Sequence, residues 1–440
     1  MKITTSGSEI LRVFSPQIEH TGMREKVWIA ILLAVLAVAG YAFYLQIADG
    51  HGITGMRDNV IWGVYIVNFM FLIGLAYAGA IIAGLLHLSR AAWGKSIIRL
   101  AQLMTLGSVI VGPLFILLCV GRFDRLWHLF VYPRIQSPLT WDVLAVITFL
   151  VGSVLFLYLS LIRDFATYRD SNLKISKWKH NLYGWLALGY NGLEKQKQIL
   201  STSQNLLAIV LIPVSIMVAS ILSWIFGMTL RPGWHSTIFG PYFVLGAIYS
   251  GVGLLIMMAW YTRRVYKLEN YITTRHFDYL AYMLLVLGAG YGYFTFSEYF
   301  TSWYGSEKWD SELIHKLFSM KEYGWMTLFA NVAGVIIPMI FAAVPKLRKP
   351  DYLFVVAGIM ILAMWVKRYL IVVPTLETPL LPLEDTRPEY VHYTITWVEW
   401  ALTLGGIALF SLIMTIAGKF VTLIEVAEAP QQETVKTQNP

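Results

Sequence analysis

Long stretches without any charged side chain limit the possible folds of this sequence more than any other feature. Residues 59–89 and 198–230 contain no Asp, Glu, Lys or Arg. A helix rises about 1.5 Å per residue, so about 20 apolar residues cross the hydrocarbon core of a bilayer. Similar stretches recur along the chain, and we predict ten transmembrane helices. They lie at 28–46, 61–88, 98–120, 139–162, 203–226, 238–262, 279–300, 324–344, 351–373 and 394–419.

The composition supports the same interpretation. Hydrophobic residues make up 57% of the chain and charged residues only 14%, whereas a soluble domain carries about 25% charged residues. Only helices and closed barrels satisfy every backbone polar group in lipid, and the alternating pattern of a barrel is absent. The predicted fold class is therefore an all-α integral membrane protein.

The basic residues indicate the orientation. One set of segments carries Lys2, Arg12, Arg24, Lys26, Arg90, Lys95, Arg99, the loop from Arg163 to Lys197, Arg263, Arg264, Lys267, Arg275, Lys346, Arg348 and Lys349. The alternate loops are poorer in positive charge and contain Arg57, Arg122, Arg231, Lys308 and Arg387. By the positive-inside rule, the first set defines a predicted inner face, with both termini cytoplasmic, and the second a predicted outer face. This pattern accounts for the net charge of +8 without a nucleic-acid partner.

Three segments complete the predicted organisation. Residues 1–27 form a cytoplasmic N-terminal segment, and residues 28–419 form the membrane domain. A long inner loop, from Arg163 to about Thr202, separates the first four spans from the rest, and its mixture of Lys, Trp, Tyr and Gly favours an ordered connection. Residues 420–440 are predicted to be a disordered cytoplasmic tail, because this polar stretch buries too little apolar surface to fold.

Residues that could hold a redox centre are scarce. The single cysteine, Cys119, excludes a cysteine-ligated cluster and a c-type haem attachment motif. A membrane haem needs His pairs at matched depth on facing helices, and the nine histidines do not form such pairs. We expect no haem, cluster or other metal in this chain and place the redox centres in partner subunits.

Ionisable side chains inside a span are costly and are functional candidates by default. Glu298 lies near the outer end of the seventh span, and Lys367 and Arg368 lie in the outer part of the ninth. For Lys367 we favour snorkelling, in which the ammonium group reaches the headgroups. Arg368 is instead expected to pair with Glu298, which would relieve two penalties together.

Three further candidates point to the same predicted outer face. Asp142 begins the fourth span, Arg122 follows the third, and His235 precedes the sixth. The alternative to a functional role for Asp142 is structural pairing with Arg122.

Several motifs, in order along residues 60–370, resemble one family. The stretch Ser137-Pro138-Leu139-Thr140-Trp141-Asp142-Val143 and the stretch from Leu161 to Asp170 carry the resemblance, with Gly121-Arg122, the run from Gly233 to Phe243, the run from Leu268 to Thr273, Glu298-Tyr299-Phe300 and Trp303-Tyr304. These motifs resemble the NrfD-like membrane subunits of the polysulfide reductase family. The closest likeness is to the two large membrane subunits of bacterial alternative complex III.

The resemblance implies two four-helix bundles, spans 2–5 (about 61–226) and spans 6–9 (about 238–373), with two flanking helices. It also implies a bacterial inner-membrane complex of the respiratory or photosynthetic chain, in which menaquinol or ubiquinol gives electrons to an iron–sulfur subunit. Subunits with haem c and a paralogous NrfD-like subunit are the other expected partners. The chain would be part of an oxidoreductase and inactive alone.

A weak internal sequence repeat agrees with the implied pair of bundles. Gly63, Tyr65, Gly74, Tyr77 and Gly79 of the second span resemble Gly240, Tyr242, Gly246, Tyr249 and Gly251 of the sixth. Because both spans would run inward, the repeat would be parallel. The alternative is that Gly and Tyr are simply common in membrane helices.

Departures from the family pattern bear on the role of the chain. Cys119 stands where quinol-binding members have His, and Phe123 replaces a proline. The position late in the fifth span where an acidic residue is expected falls near Ile225, and Lys367-Arg368 replaces a Glu-Arg pair. Quinol oxidation needs proton acceptors within hydrogen-bond reach of the two hydroxyls, and these changes remove the obvious bases. We therefore favour a sister subunit that supports assembly and conducts protons.

Two alternatives remain open at this stage. In the first, the chain itself oxidises quinol at an outer pocket. Arg122, Asp142, His235, Glu298 and Arg368 would surround the head group, and Phe123, Trp141 and Tyr299 would form the walls. In the second, the chain is an ion-coupled transporter, which also places charged residues inside its spans.

Overall fold

The structure is a computed structural model that describes residues 5–171, 173–229, 231–378 and 392–426, without the side chains of residues 5–8 and 123. The described residues form helices and contain no strand. The α-helices are α1 Thr5–Glu19, α2 Met23–Asp49, α3 Gly63–Leu88, α4 Ile98–Cys119, α5 His128–Val131, α6 Pro138–Asp170, α7 Lys177–Leu186, α8 Glu194–Gly227, α9 Phe239–Val265, α10 Thr274–Gly305, α11 Lys308–Phe318, α12 Gly324–Asn331, α13 Ile337–Ala343, α14 Pro350–Leu376 and α15 Trp397–Phe420.

Ten helical segments within these ranges are long and apolar enough to span a membrane, which confirms the predicted number and the all-α membrane fold. Several extend beyond the apolar stretches that marked them. α6 begins with Pro138 in the first turn, where the missing N–H costs nothing. It continues past Arg163 to Asp170 because its last turns are buried by neighbouring elements, which hydropathy alone does not reveal.

The eighth span is interrupted. α12 and α13 are joined by a π-helical turn, Val332–Ile336. A π turn leaves backbone groups out of the regular ladder, and the Tyr249 hydroxyl donates a hydrogen bond to the Gly334 carbonyl at 2.9 Å. A side chain from α9 thus stabilises the irregular turn.

The two helices that carry the internal repeat, α3 and α9, pack against each other. Gly74 faces Ala247, where an added Cβ would lie 3.4 Å from the alanine Cβ. Four residues on, the order reverses and Gly251 contacts Ala78. Small residues at a four-residue spacing let membrane helices approach closely. Beyond this contact, the grouping of the spans into two four-helix bundles stays a prediction.

The described residues near both ends of the chain make tertiary contacts with the membrane domain. α1 lies within the predicted N-terminal segment, and the Tyr271 hydroxyl donates a hydrogen bond to Glu9 at 2.8 Å. The prediction of disorder from residue 420 onward is wrong for residues 420–426. Ile424 and Val426 are fully buried, and the Val426 amide donates to Asp164 at 3.2 Å. These apolar residues find a groove that composition does not reveal; residues 427–440 lie outside the described part.

Candidate functional site

The five candidate residues of the predicted outer face make no ion pair or hydrogen bond with one another among the described residues. Arg122 lies at the surface with 64% of its side chain exposed, and it binds Asp124 through two hydrogen bonds of 3.0 and 2.8 Å. Hydrogen bonding to this guanidinium holds the pKa of Asp124 below its ordinary value. The alternative in which Asp142 pairs with Arg122 is therefore not seen among the described residues, because Arg122 is bound by Asp124, two positions away.

Asp142 is buried near the start of α6. Its side chain is 8% exposed, and its Oδ1 has no hydrogen-bond partner among the described residues. The hydroxyl of the fully buried Tyr77 on α3 also lacks a partner there, and it interacts electrostatically with Asp142. Buried polar atoms in native proteins are normally satisfied by protein or by ordered water. This region is therefore suited to hold water.

Polar residues continue from Asp142 along one face of α6. Ser153, Ser160 and Asp164 follow at intervals of 11, 7 and 4 residues, which at 100° per residue keeps all four within about 40° of each other. All four side chains are buried. The stripe extends over 22 residues, or about 33 Å, close to the thickness of a bilayer core. Phe149 occupies the same face between Asp142 and Ser153 and packs edge-on against Tyr77.

The stripe ends in a buried ionic cluster at the predicted inner face. Arg99, fully buried, lies 3.0 Å from Asp164 and 3.8 Å from Glu425. Burial raises the pKa of Glu425, and the charge of Arg99 opposes that rise. Ser160 donates to Gln102 at 3.0 Å. A cavity of about 30 Å³ lies among these side chains, which is enough for a water molecule.

A second buried group lies between α10 and α14. Lys367 is 3% exposed and donates to the Tyr299 hydroxyl at 2.5 Å, so the snorkelling prediction for this lysine is wrong. Lys367 is also the cation that interacts electrostatically with the partly buried Glu298. Arg368 lies 5.4 Å from the centre of the Phe243 ring, and within the described part of the chain it makes no ion pair with Glu298. The cation beside Glu298 is therefore Lys367 and not Arg368, because consecutive helical residues point in different directions.

An aromatic cavity of about 680 Å³ opens on the other side of Tyr299. Phe296, Phe300 and Trp303 of α10 line it together with His315 and Phe318 of α11. Of the predicted wall residues whose side chains the structure describes, Tyr299 lines this cavity and Trp141 does not. Trp141 lies on α6 and donates to the Ile135 carbonyl, and the side chain of Phe123 lies outside the described part.

His235 lies in a different place again, in the loop before α9. Its Nε2 is 3.7 Å from Oδ2 of Asp310 at the start of α11. Its Nδ1 is 3.0 Å from the Arg231 carbonyl. Within the described residues, Asp142, the Glu298–Lys367 group, His235 and Arg122 therefore contact different residues and have no partner in common.

Residues 52–379 match the family model for polysulphide reductase NrfD. The chain belongs to the NrfD family.

Relatives of this NrfD protein are named as membrane subunits of reductases and oxidoreductases. An Archaeoglobus fulgidus Hdr-like menaquinol oxidoreductase integral membrane subunit is 23% identical over 90% of this chain and 94% of its own length. A Nitratidesulfovibrio vulgaris menaquinone reductase integral membrane subunit is 23% identical over 90% of this chain and 91% of its own. A Halobacterium salinarum protein, provisionally named as a dimethyl sulfoxide reductase membrane subunit, is 29% identical over 56% of this chain. That match spans only about half of the relative, 53%.

Two buried carboxylates of this NrfD protein escaped the sequence analysis. Glu399, fully buried, accepts hydrogen bonds from the Tyr393 hydroxyl and the Gly55 amide. Glu377, 2% exposed, accepts from the Tyr393 amide at 2.7 Å and the Tyr323 hydroxyl at 2.7 Å. Tyr393 thus connects both carboxylates. Glu399 stands at the third position of α15 after Thr396, so a capping-box pattern could have identified it.

The polar stripe of α6 was also missed, although its spacing is visible in the sequence. Serine is not ionisable, so a search for ionisable groups inside spans does not identify it. Asp164 lies beyond the end of the predicted span. A test for polar residues recurring on one helical face would have found Asp142, Ser153, Ser160 and Asp164.

Proposed function

We propose that this NrfD protein is the sister membrane subunit of a quinol-oxidising complex of the alternative complex III type, where it supports assembly and conducts protons. The observation that carries the proposal is the buried polar stripe of α6, from Asp142 to Asp164. In this same chain, the candidate quinol ligands make no described contact with one another.

Quinol oxidation requires a base within about 2.6–3.2 Å of each hydroxyl proton, or one water away. Arg122 is exposed and bound to Asp124, while His235 lies beside Asp310. Asp142 is on α6, and Glu298 interacts with Lys367 on other helices. None of these four residues contacts another among the described residues, which favours the sister role.

The stripe has the properties that proton transfer needs. Asp142 and Glu425 provide ionisable groups near its two ends, and Ser153, Ser160 and Gln102 provide hydroxyl or amide groups between them. The partnerless Oγ atoms of Ser153 and of Ser108 on α4 are positions where water completes the hydrogen bonding. Phe149 and Tyr77 separate the outer residue from the rest, so rotation of Tyr77 would control the connection.

The family pattern supplies the proposed partners. Electrons from menaquinol or ubiquinol would pass to an iron–sulfur subunit and to subunits with haem c, while this chain contacts a paralogous NrfD-like subunit in the bacterial inner membrane. The two relatives that match over 90% of the chain are named for menaquinol or menaquinone chemistry, which favours a menaquinol-linked complex. Family membership leaves the ion-coupled transporter without support.

One observation favours the alternative, in which the chain holds a quinol itself. The aromatic cavity beside Tyr299 has the volume and apolar walls of a small-molecule site. His315 lies in its wall, and an imidazole side chain can accept a proton near neutral pH. The cavity would bind quinol against Tyr299, whose hydroxyl accepts a hydrogen bond from Lys367.

The deciding experiment uses the purified complex in liposomes, with quinol oxidation and proton release measured together. Asp142→Asn should leave electron transfer to the acceptor at half the wild-type rate or more and should lower proton translocation per electron. Asp124→Asn, an exposed carboxylate on the same predicted face, is the matched control and should change neither. Loss of quinol binding in Asp142→Asn, or a bound quinol analogue beside Tyr299 in a map of the complex, would reject the sister role.

A further inference from the structure

Three metal-ligating side chains converge near the end of α10, where Glu307 joins the His235–Asp310 pair. His235 comes from the loop before α9, Glu307 immediately precedes α11, and Asp310 lies in the first turn of α11. One ligand atom of each residue lies within 4.8 Å of those of the other two. We propose that these three residues bind a divalent transition-metal ion of the Zn²⁺ type.

The histidine is oriented as a metal ligand. Its Nδ1 lies 3.0 Å from the Arg231 carbonyl, so an Nδ1–H tautomer donates there and leaves the lone pair of Nε2 free. Nε2 lies on the side of Asp310. Metal-bound histidines almost always donate their other ring N–H to a carbonyl or a carboxylate, which fixes the tautomer and the ring.

Asp310 is held in a similar way. Its Oδ1 accepts a hydrogen bond from the Gly233 amide at 3.1 Å, which leaves Oδ2 pointing toward His235. Gly233 has φ of +76°, a conformation that favours glycine. The loop is therefore shaped to hold the aspartate and the histidine side by side.

Glu307 completes the set. In a tetrahedral zinc site, ligand bonds of about 2.0–2.2 Å place ligand atoms roughly 3.4 Å apart. The 3.7 Å between His235 and Asp310 is close to that value, and the exposed Glu307 side chain is free to close the remaining distance. Imidazole with two carboxylates suits Zn²⁺ rather than Ca²⁺ or Mg²⁺, which prefer oxygen ligands alone. The fourth position is left for water.

The proposed ion would fasten the loop before α9 to α11. That loop is anchored on its other side by Trp234, which is buried and donates to the Ile371 carbonyl at 2.7 Å. α11 lines the aromatic cavity through His315 and Phe318. Metal binding would therefore stabilise one wall of that cavity.

The test measures Zn²⁺ binding by isothermal titration to the detergent-solubilised complex containing the full chain, first stripped with a chelator. The wild type should bind one more zinc ion than the Asp310→Asn and His235→Ala variants, or bind it at least tenfold more tightly. The amide introduced by Asp310→Asn keeps an acceptor for the Gly233 N–H, so that variant tests the ligand and not the fold. His128→Ala, an exposed histidine on the same predicted face, should bind like the wild type. Equal binding by wild type and His235→Ala, or no zinc binding at all, would overturn the proposal.

Discussion

The ammonium group of Lys367 and the hydroxyl of Tyr299 form a 2.5 Å hydrogen bond in the interior of the membrane domain. The lysine also lies 4.4 Å from the centre of the Tyr299 ring. A buried cation without such partners is strongly unfavourable. Tyr299 thus helps to hold a positive charge next to Glu298, at the boundary of the aromatic cavity.

The first prediction concerns this pair. Tyr299→Phe keeps the ring but removes the acceptor, and it should destabilise the protein by about 1–3 kcal/mol, the cost of leaving a buried charged group without its hydrogen bond. Thermal unfolding of the complex in detergent measures the effect as a lower midpoint. Tyr304→Phe, at an exposed position on the same helix, is the control. A Tyr299→Phe variant as stable as the control would mean that water replaces the hydroxyl.

The second prediction concerns the contact between α3 and α9. A methyl group on Gly251 would clash with Ala78, so Gly251→Ala should force the helices apart and cost about 1–3 kcal/mol, as overpacking does in a core. Gly40→Ala on α2 is the matched control, because nothing lies within 4 Å of its added Cβ. The control should be neutral or stabilising by up to about 1 kcal/mol, the helix propensity of Ala over Gly. Unfolding midpoints that agree for the two variants would disprove tight packing at Gly251.

The third prediction concerns the pH dependence of the C-terminal segment. Burial raises the pKa of Glu425 above its ordinary value of 4.5. A raised folded pKa means that folding favours the protonated form, so the stabilisation is complete below 4.5 and is lost as pH rises through the raised value. Hydrogen exchange of residues 421–426, corrected for intrinsic rates, should therefore become faster above that pH.

The control for this effect is Glu425→Gln, which cannot ionise and should give protection that no longer falls with pH in the same range. A wild-type segment that becomes more protected as pH rises would mean that attraction to Arg99, 3.8 Å away, outweighs burial.

The number and approximate positions of the spans could be predicted from the sequence, because the cost of a charge in lipid leaves long uncharged stretches that are visible in the sequence itself. Sequence reasoning did not predict the pairing of charges. For Arg122 it considered only Asp142 as a partner, whereas the path of the loop brings Asp124 to the arginine. Lys367 and Arg368 are adjacent in sequence, yet their helical directions send one toward Tyr299 and the other toward Phe243.

The burial of residues 421–426 was missed for a related reason. The composition of a tail shows how much apolar surface it carries, but not whether a groove exists to receive it. Ile424 and Val426 fill such a groove beside α6, which only the tertiary structure defines.

The last prediction concerns the ion pair at the predicted inner end of the stripe. Arg99 and Asp164 are both buried and lie 3.0 Å apart. Arg99→Met removes the cation and leaves the carboxylate in the interior, which typically costs about 3–5 kcal/mol. Arg264→Met, at an exposed arginine at the same predicted face, should change stability by no more than about 0.5 kcal/mol. Unfolding midpoints of the detergent-solubilised complex provide the comparison.

A double variant separates the pair's stability from its role. With Arg99→Met and Asp164→Leu together, the fully buried carboxylate is gone and only Glu425, whose side chain is 17% exposed, loses its cation, so most of the lost stability should return, as it does when buried ion pairs are replaced by apolar residues. Recovery would be incomplete by about 1 kcal/mol, because Asp164 also accepts the Val426 amide. If the stripe conducts protons, the double variant should regain stability while proton translocation per electron stays low. Recovery of both would show that Arg99 and Asp164 serve only the fold.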